Sequence, residues 1–312
     1  MNRVAPDQWP LIEAFRANGA MSFHRLGVAA AREAYEASCA RNGLPTESVD
    51  TVTDLILNGD PDVAVRLYKN GIDHDAPVVL FVHGGGWVMG SLSTHDTLCR
   101  YLARRSGCAI LAVDYRLAPE HVYPAALDDV RTALTWIHTD GRDHGLDPDR
   151  IVVIGDSAGG HLAAEIARAD RTITAQVLLY PVTSASIDTK SHRDVVDGFP
   201  LTTATMEWFL HLYSGGDTST AVRDLTVQPR PLPTFVCTGG HDPLASGGAA
   251  LARSRVDYGA LVHHIHLPEH AHGLFTSAGS VGTGRQILTR VCEFISAATD
   301  TNNDAERSAT ML

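Results

Sequence analysis

The sequence predicts a mostly parallel α/β sheet flanked by helices, with a helical cap drawn from the N-terminus and from an insertion. Three observations predict it. Short apolar runs alternate with helix-like segments from residue 78 to residue 298. The run Ile151-Val152-Val153-Ile154 enters Gly155-Asp156-Ser157-Ala158-Gly159 and then a helix-forming stretch, the strand, sharp turn and helix of a nucleophile elbow. The run Val78–Val82 leads into His83-Gly84-Gly85-Gly86-Trp87, whose glycines let backbone N–H groups converge on one point.

Taken in order, residues 1–48 place apolar side chains at helical spacing (Trp9, Ile12, Phe15, then Val28–Cys39) and stop at Asn42-Gly43-Leu44-Pro45. Val49–Leu57 and Val63–Tyr68 alternate around Asn58-Gly59-Asp60-Pro61 and read as an antiparallel hairpin. Val78–Val82 is a continuous apolar run, suited to a strand buried on both faces. Further strands are expected at Cys108–Tyr115, Arg150–Gly155, Thr174–Tyr180, Pro233–Gly239 and Val262–Leu267. Helices are expected at Tyr123–His138, Ala249–Tyr258 and Ile287–Ala298. Residues 184–228 interrupt the rhythm with a Ser/Thr/Asp-rich stretch around the amphipathic patch Met206–Tyr213. Such an insertion packs over the C-terminal edge of the sheet, where ligands bind. The division is therefore 1–48 as N-terminal cap, 49–183 and 229–298 as the two parts of the core, 184–228 as cap insertion, and 299–312 as a polar, disordered tail.

A net charge of −11 over 312 residues argues against nucleic acid and anionic membranes as partners. Cys39, Cys99, Cys108, Cys237 and Cys292 are odd in number and lack any C-x-x-C, a pattern that suits a reducing compartment. The first ten residues contain no apolar signal core, and no stretch reaches transmembrane length. A soluble cytoplasmic protein without stable membrane insertion is expected.

The chemistry starts at Ser157, the residue that the elbow lifts above the sheet edge. The N–H groups of Gly84, Gly85 and Ala158 are the expected oxyanion-hole donors. His83 lies on a loop that works through its backbone and is read as its anchor rather than as a base. Trp87, Asp156, Trp208 and Phe209 are the substrate-binding candidates, and Trp9, Phe15 and Phe23 are further aromatic residues of the cap. Those cap aromatics can equally form the cap's own core. Asp114 and Arg116 read as structural, forming buried ion pairs that brace the sheet edge.

Together these motifs resemble the hormone-sensitive-lipase-like branch of the α/β-hydrolases, the bacterial family IV carboxylesterases. The matching residues are His83–Trp87, Asp114-Tyr-Arg-Leu-Ala-Pro-Glu-His121, Tyr123-Pro-Ala-Ala126, Gly155–Gly160, Asp242-Pro-Leu244 and His272-Gly-Leu-Phe275, in the family's order over roughly residues 60–298. His161 and Ala245–Gly248 depart from its usual pattern. The resemblance implies an α/β-hydrolase fold with a Ser, acid, His order along the chain. Asp242, after the Pro233–Gly239 strand, is the acid. His272, before Gly-Leu-Phe, is the base, with His270 as runner-up; His263, His264 and His266 are expected at the surface. The implied activity is hydrolysis of short- to medium-chain carboxylic esters as small-molecule substrates, needing no metal or organic cofactor. Zinc hydrolysis lacks a matching carboxylate or cysteine set. Amide or carbamate cleavage by the same triad is the first alternative. A non-catalytic small-molecule receptor on this fold, like the plant gibberellin receptor, is the second, and His272 argues against it. A homodimer through an edge strand is compatible with the family.

Overall fold

The computed structural model describes residues 3–71, 74–227 and 230–300. The N-terminal region carries α1 (Trp9–Ala17) and α2 (Val28–Asn42). β1 (Thr51–Leu57) and β2 (Val63–Lys69) form the expected antiparallel hairpin, with Leu57 opposite Val63. β3 (Ala76–Val82), α3 (Asp96–Ser106), β4 (Ala109–Val113), α4 (Ala125–Thr139), β5 (Leu146–Asp156), α5 (Ala158–Ala169) and β6 (Ile173–Leu179) come next. The interruption contains α6 (Lys190–Asp194), α7 (Thr203–Ser214) and α8 (Thr218–Ala221). β7 (Thr234–His241), α9 (Ala245–Asp257), β8 (Val262–Ala271) and α10 (Gly282–Thr299) complete the order. Most of the tail 299–312, from residue 301, lies outside the described residues.

The strands form one sheet in the order β1-β2-β4-β3-β5-β6-β7-β8. β2 joins β4 antiparallel, and every pair from β4 through β8 is parallel. The central strands have no polar face, because each side of the sheet is covered. Val78, Leu80, Ile151 and Val153 pack on one side with α4, α5 and α9. Val79, Phe81, Val152 and Ile154 pack on the other with α3 and α10. With both faces covered by helices, the open place for a ligand is the crevice at the carboxyl ends of the strands.

Two expectations change. β8 runs past Leu267 to Ala271, pairing again with β7 at His241 after a register shift. Gly240 makes room for the shift, since a Cβ there would overlap the Pro268 carbonyl oxygen. Arg116 is indeed in an ion pair, but its partner is the buried Asp129 of α4, gripped by Nε and Nη2 at 2.8–3.0 Å. Asp114 is exposed and does not share in it. The five cysteines are buried free thiols, and His263, His264 and His266 are exposed as expected.

Gly159 brings β5, α5 and the end of β3 into backbone contact. A Cβ there would overlap the carbonyl oxygens of Val82 and His83, which belong to backbone and cannot rotate away. Gly159→Ala is expected to destabilise the fold by about 3 kcal/mol through overpacking, seen as a lower urea midpoint with an unchanged slope.

Candidate active site

Ser157 stands between β5 and α5 at φ 56°, ψ −119°, a conformation that a residue with a side chain adopts only when its surroundings enforce it. The enforcement is visible. Its N–H donates to Leu179 O at 2.9 Å, and its carbonyl accepts from Val182 N–H at 3.0 Å. A Cβ on Gly155 would overlap the Gly159 carbonyl, so both glycines of the turn are required by space. The result is a hydroxyl held rigidly at the carboxyl end of the sheet.

Two residues distant in sequence meet it there. His272 Nε2 lies 3.0 Å from Ser157 Oγ, and His272 Nδ1 donates to Asp242 Oδ2 at 2.7 Å. Asp242 is fully buried, and its Oδ1 accepts the Leu244 N–H at 2.9 Å. Tyr180 packs its ring on His272 with centroids 4.2 Å apart. His270 points elsewhere: its Nε2 meets Asp7 Oδ1 at 3.2 Å. Geometrically, then, His272 reaches the serine and His270 does not.

The glycine loop departs from expectation at one donor. The Gly84 N–H is donated to Asp156 Oδ1 at 2.7 Å, so it is not available to a substrate oxygen. Among the described residues, the N–H groups of Gly85, Gly86 and Ala158 donate to no protein acceptor. Gly85 and Gly86 border the cavity in front of Ser157, with φ of 118° and 65° that glycine alone adopts easily. Ala158 opens α5, where the first N–H groups lack intrahelical partners.

The Asp156 carboxylate is accordingly already engaged within the protein. The residue borders the cavity, yet its carboxylate accepts the Gly84 N–H and lies 3.2 Å from His95 Nε2. Burial alone would raise this carboxyl, but His95 and the Gly84 N–H outweigh it and hold it below the usual carboxylate range. His83 anchors the loop as expected. Its Nδ1 meets Gly84 O at 2.8 Å, its ring stacks on Tyr115, and Tyr115 Oη donates to its carbonyl at 2.8 Å.

The cavity over Ser157 is small, about 100 Å³. Phe23 and Tyr35 close it from the N-terminal segment; Leu201 and Phe209 close it from the interruption. Phe209 lies against Gly86, where a Cβ would overlap its ring. Trp87 and Trp208 do not line it. Trp87 is wholly buried behind the loop, stacked on Tyr213 at 4.4 Å, because φ of 61° turns this residue back into the core. Trp208 is half-buried on the far side of Phe209, centroids 5.1 Å apart. Trp9 is partly exposed and lies outside the cavity wall, as does Phe15. Sequence reasoning does not single out Tyr35, Tyr180 or Leu201, which all line the cavity. Tyr180 alone carries a signal, standing at the carboxyl end of a central strand before Pro181. A larger groove of about 960 Å³ between β8 and α10 is bordered by none of Ser157, His272 and Asp242.

Residues 79–276 match a family model described as the alpha/beta hydrolase fold. The chain belongs to the α/β-hydrolase family. It is 36% identical to the ethyl acetate hydrolase of Pseudomonas putida, over 87% of this chain and 90% of that one. Carboxylesterase NlhH of Mycobacterium tuberculosis is also 36% identical, over 73% of this chain and 77% of that protein. A crystal structure of a thermostable esterase from Pseudomonas putida superposes with a TM-score of 0.88 at 26% identity, covering 96% of this chain and 99% of that one. These relatives show a carboxylic ester hydrolase, acting on small-molecule esters. Among the described residues, no helix of this esterase is long and apolar enough to cross a membrane.

The buried loop histidine makes the esterase sensitive to acid. Burial, followed by the neighbouring His95, pushes His83 down to about 3, whereas an unfolded chain protonates histidine near about 6.5. Between these values the unfolded chain binds the extra proton, so stability rises with pH. The contribution is complete above about pH 6.5 and is lost as pH falls toward 3, at about 1.4 kcal/mol per pH unit. Burial lowers His161 and His192 in the same direction. Urea unfolding at pH 7, 6 and 5 is expected to show a stepwise fall in free energy. A flat profile contradicts the neutral buried state of His83.

Proposed function

We propose that this esterase cleaves carboxylic esters by acyl transfer through Ser157, His272 and Asp242, and that it favours the short end of a short- to medium-chain range. The observation that carries the reading is the hydrogen-bonded line from Asp242 through His272 to Ser157 Oγ. Ser157 Oγ attacks the ester carbonyl while His272 Nε2 takes its proton. Asp242 holds the imidazole in the tautomer with hydrogen on Nδ1 and stabilises the cation that forms. The N–H groups of Gly85, Gly86 and Ala158 receive the oxyanion, each worth about 3 kcal/mol of barrier. His272 then passes its proton to the departing alcohol oxygen. Water, deprotonated by His272, hydrolyses the acyl-enzyme and restores the Ser157 hydroxyl.

Segments 1–48 and 184–228 act as the cap, since Phe23, Tyr35, Leu201 and Phe209 close the cavity from them. A cavity of about 100 Å³ favours acyl groups of two to four carbons. The five buried free thiols support a reducing, cytoplasmic setting. β8 forms one edge of the sheet and offers a second copy a strand to pair with, which the mass measured by light scattering tests.

The test is turnover of p-nitrophenyl esters from acetate to dodecanoate, with p-nitroacetanilide as the amide counterpart. A maximum of kcat/KM at acetate to butyrate is expected, with the amide slower by orders of magnitude. A maximum at octanoate or beyond overturns the short-chain reading, and faster amide cleavage overturns the ester preference. A folded protein that turns over none of them overturns the mechanism.

A further inference from the structure

The three residues immediately before His272 are all fastened to the extreme N-terminal segment of the chain. Ala5 N–H donates to Glu269 O at 2.8 Å. Asp7 meets His270 Nε2 through Oδ1 at 3.2 Å and accepts the Thr283 N–H through Oδ2 at 2.9 Å. Gln8 makes the closest attachment. Its Oε1 accepts the Ala271 N–H at 2.6 Å, and its Nε2 donates to Ala271 O at 3.2 Å. Gln8 and Ala271 are each 2% exposed. Val4, Ile12, Val195 and Phe199 form with Ala271 the small apolar cluster around this contact.

A primary amide carries one acceptor and a donor at nearly the spacing of a peptide unit. Gln8 therefore acts on Ala271 as one residue of a neighbouring strand would, at the point where β8 ends. The downstream neighbour of His272 is held locally, its carbonyl accepting the Ser277 N–H at 3.2 Å and the Thr276 hydroxyl at 3.1 Å within one turn. It is Gly273 at φ 85°, a residue with little conformational preference of its own. Asp242 and Tyr180 hold the imidazole ring itself, and Gln8 fixes the peptide unit on its upstream side, from which the His272 backbone continues.

We infer that Gln8 is a positioning residue, which sets the reach of His272 Nε2 to Ser157 Oγ through its paired hydrogen bonds to Ala271. The inference rests on the reading of Ser157 and His272 as reacting groups. The N-terminal segment is then part of the machinery that aligns the base, besides closing the cavity.

The test uses the full-length enzyme as wild type, Gln8→Met, Gln8→Glu and Ser157→Ala, with p-nitrophenyl acetate as substrate. Active sites are counted by the p-nitrophenol released with diethyl p-nitrophenyl phosphate, so an unfolded fraction does not enter kcat. Methionine keeps the length of the side chain without its hydrogen bonds. Gln8→Met is expected to lose on the order of 10- to 100-fold in kcat per counted site, the effect of misplacing a reacting group by about 1 Å, with KM within about twofold. Glutamate can donate to Ala271 O only when protonated, so the kcat of Gln8→Glu relative to wild type is expected to rise as pH falls. An unchanged kcat per counted site in Gln8→Met overturns the inference, as does a Gln8→Glu ratio that does not move with pH. Turnover retained by Ser157→Ala overturns the nucleophile assignment and the inference with it, whatever the Gln8 variants do.

Discussion

Ser157→Ala is expected to lower kcat/KM for p-nitrophenyl acetate by roughly 10⁴- to 10⁶-fold, with no loss of folded protein. The hydroxyl removed is the only group of the line in position to form the acyl bond. His272 Nε2, 3.0 Å away, then has water alone to activate. The backbone at this residue is the second consideration. Alanine meets the same demand at φ 56° as serine does, because both carry an unbranched Cβ, so the elbow persists. Steady-state kinetics together with a thermal melt test both halves. The residual rate reports what the oxyanion donors and the cavity achieve without the nucleophile. A variant that keeps more than about a tenth of the activity removes Ser157 from the mechanism.

Asp242→Asn is expected to lower kcat by about 10⁴-fold while leaving KM within a fewfold. The reason is a forced orientation. Asp242 Oδ1 accepts the Leu244 N–H at 2.9 Å, and an asparagine must keep its carbonyl oxygen there. Its NH2 group then faces His272 Nδ1, at the place where the carboxylate accepts a hydrogen bond at 2.7 Å. Nδ1 becomes an acceptor and the ring hydrogen moves to Nε2. An imidazole in that tautomer has no lone pair for the Ser157 proton. Because the carboxylate is fully buried, water does not substitute for it. Measured kcat and KM decide the matter: a small effect on kcat means that His272 holds its tautomer without Asp242.

Much of the enzyme was legible in local sequence. A strand buried on both faces leaves an uninterrupted apolar run, as at Val78–Val82, and needs no knowledge of its neighbours. Gly155 and Gly159 bracket Ser157 because a tight turn excludes side chains at those spacings, so the elbow is readable from five residues. His272 was legible through the residues after it, despite four other histidines in the preceding nine positions.

Other features came from contacts that no window of sequence contains. Gly84 looks like any donor of a glycine loop, yet Asp156, 72 residues later, accepts its N–H and moves the free donors along by one. Trp87 reads as a cavity wall, but a positive φ turns it onto Tyr213, 126 residues away. Arg116 pairs with Asp129 rather than with the nearer Asp114, because α4 presents its carboxylate to the end of β4.

What the sequence by itself determined about this protein is the α/β order, the elbow, the glycine loop and the choice of Ser157, Asp242 and His272, the three side chains that the fold brings into one hydrogen-bonded line. Each depends on backbone conformation over a few adjacent residues. Only the tertiary structure decided which N–H groups are free, which aromatic rings line the cavity, and that Gln8 holds the residue before His272 across 263 positions. Those are matters of hydrogen-bond partnership and packing between distant segments, and a residue's type does not specify its partner.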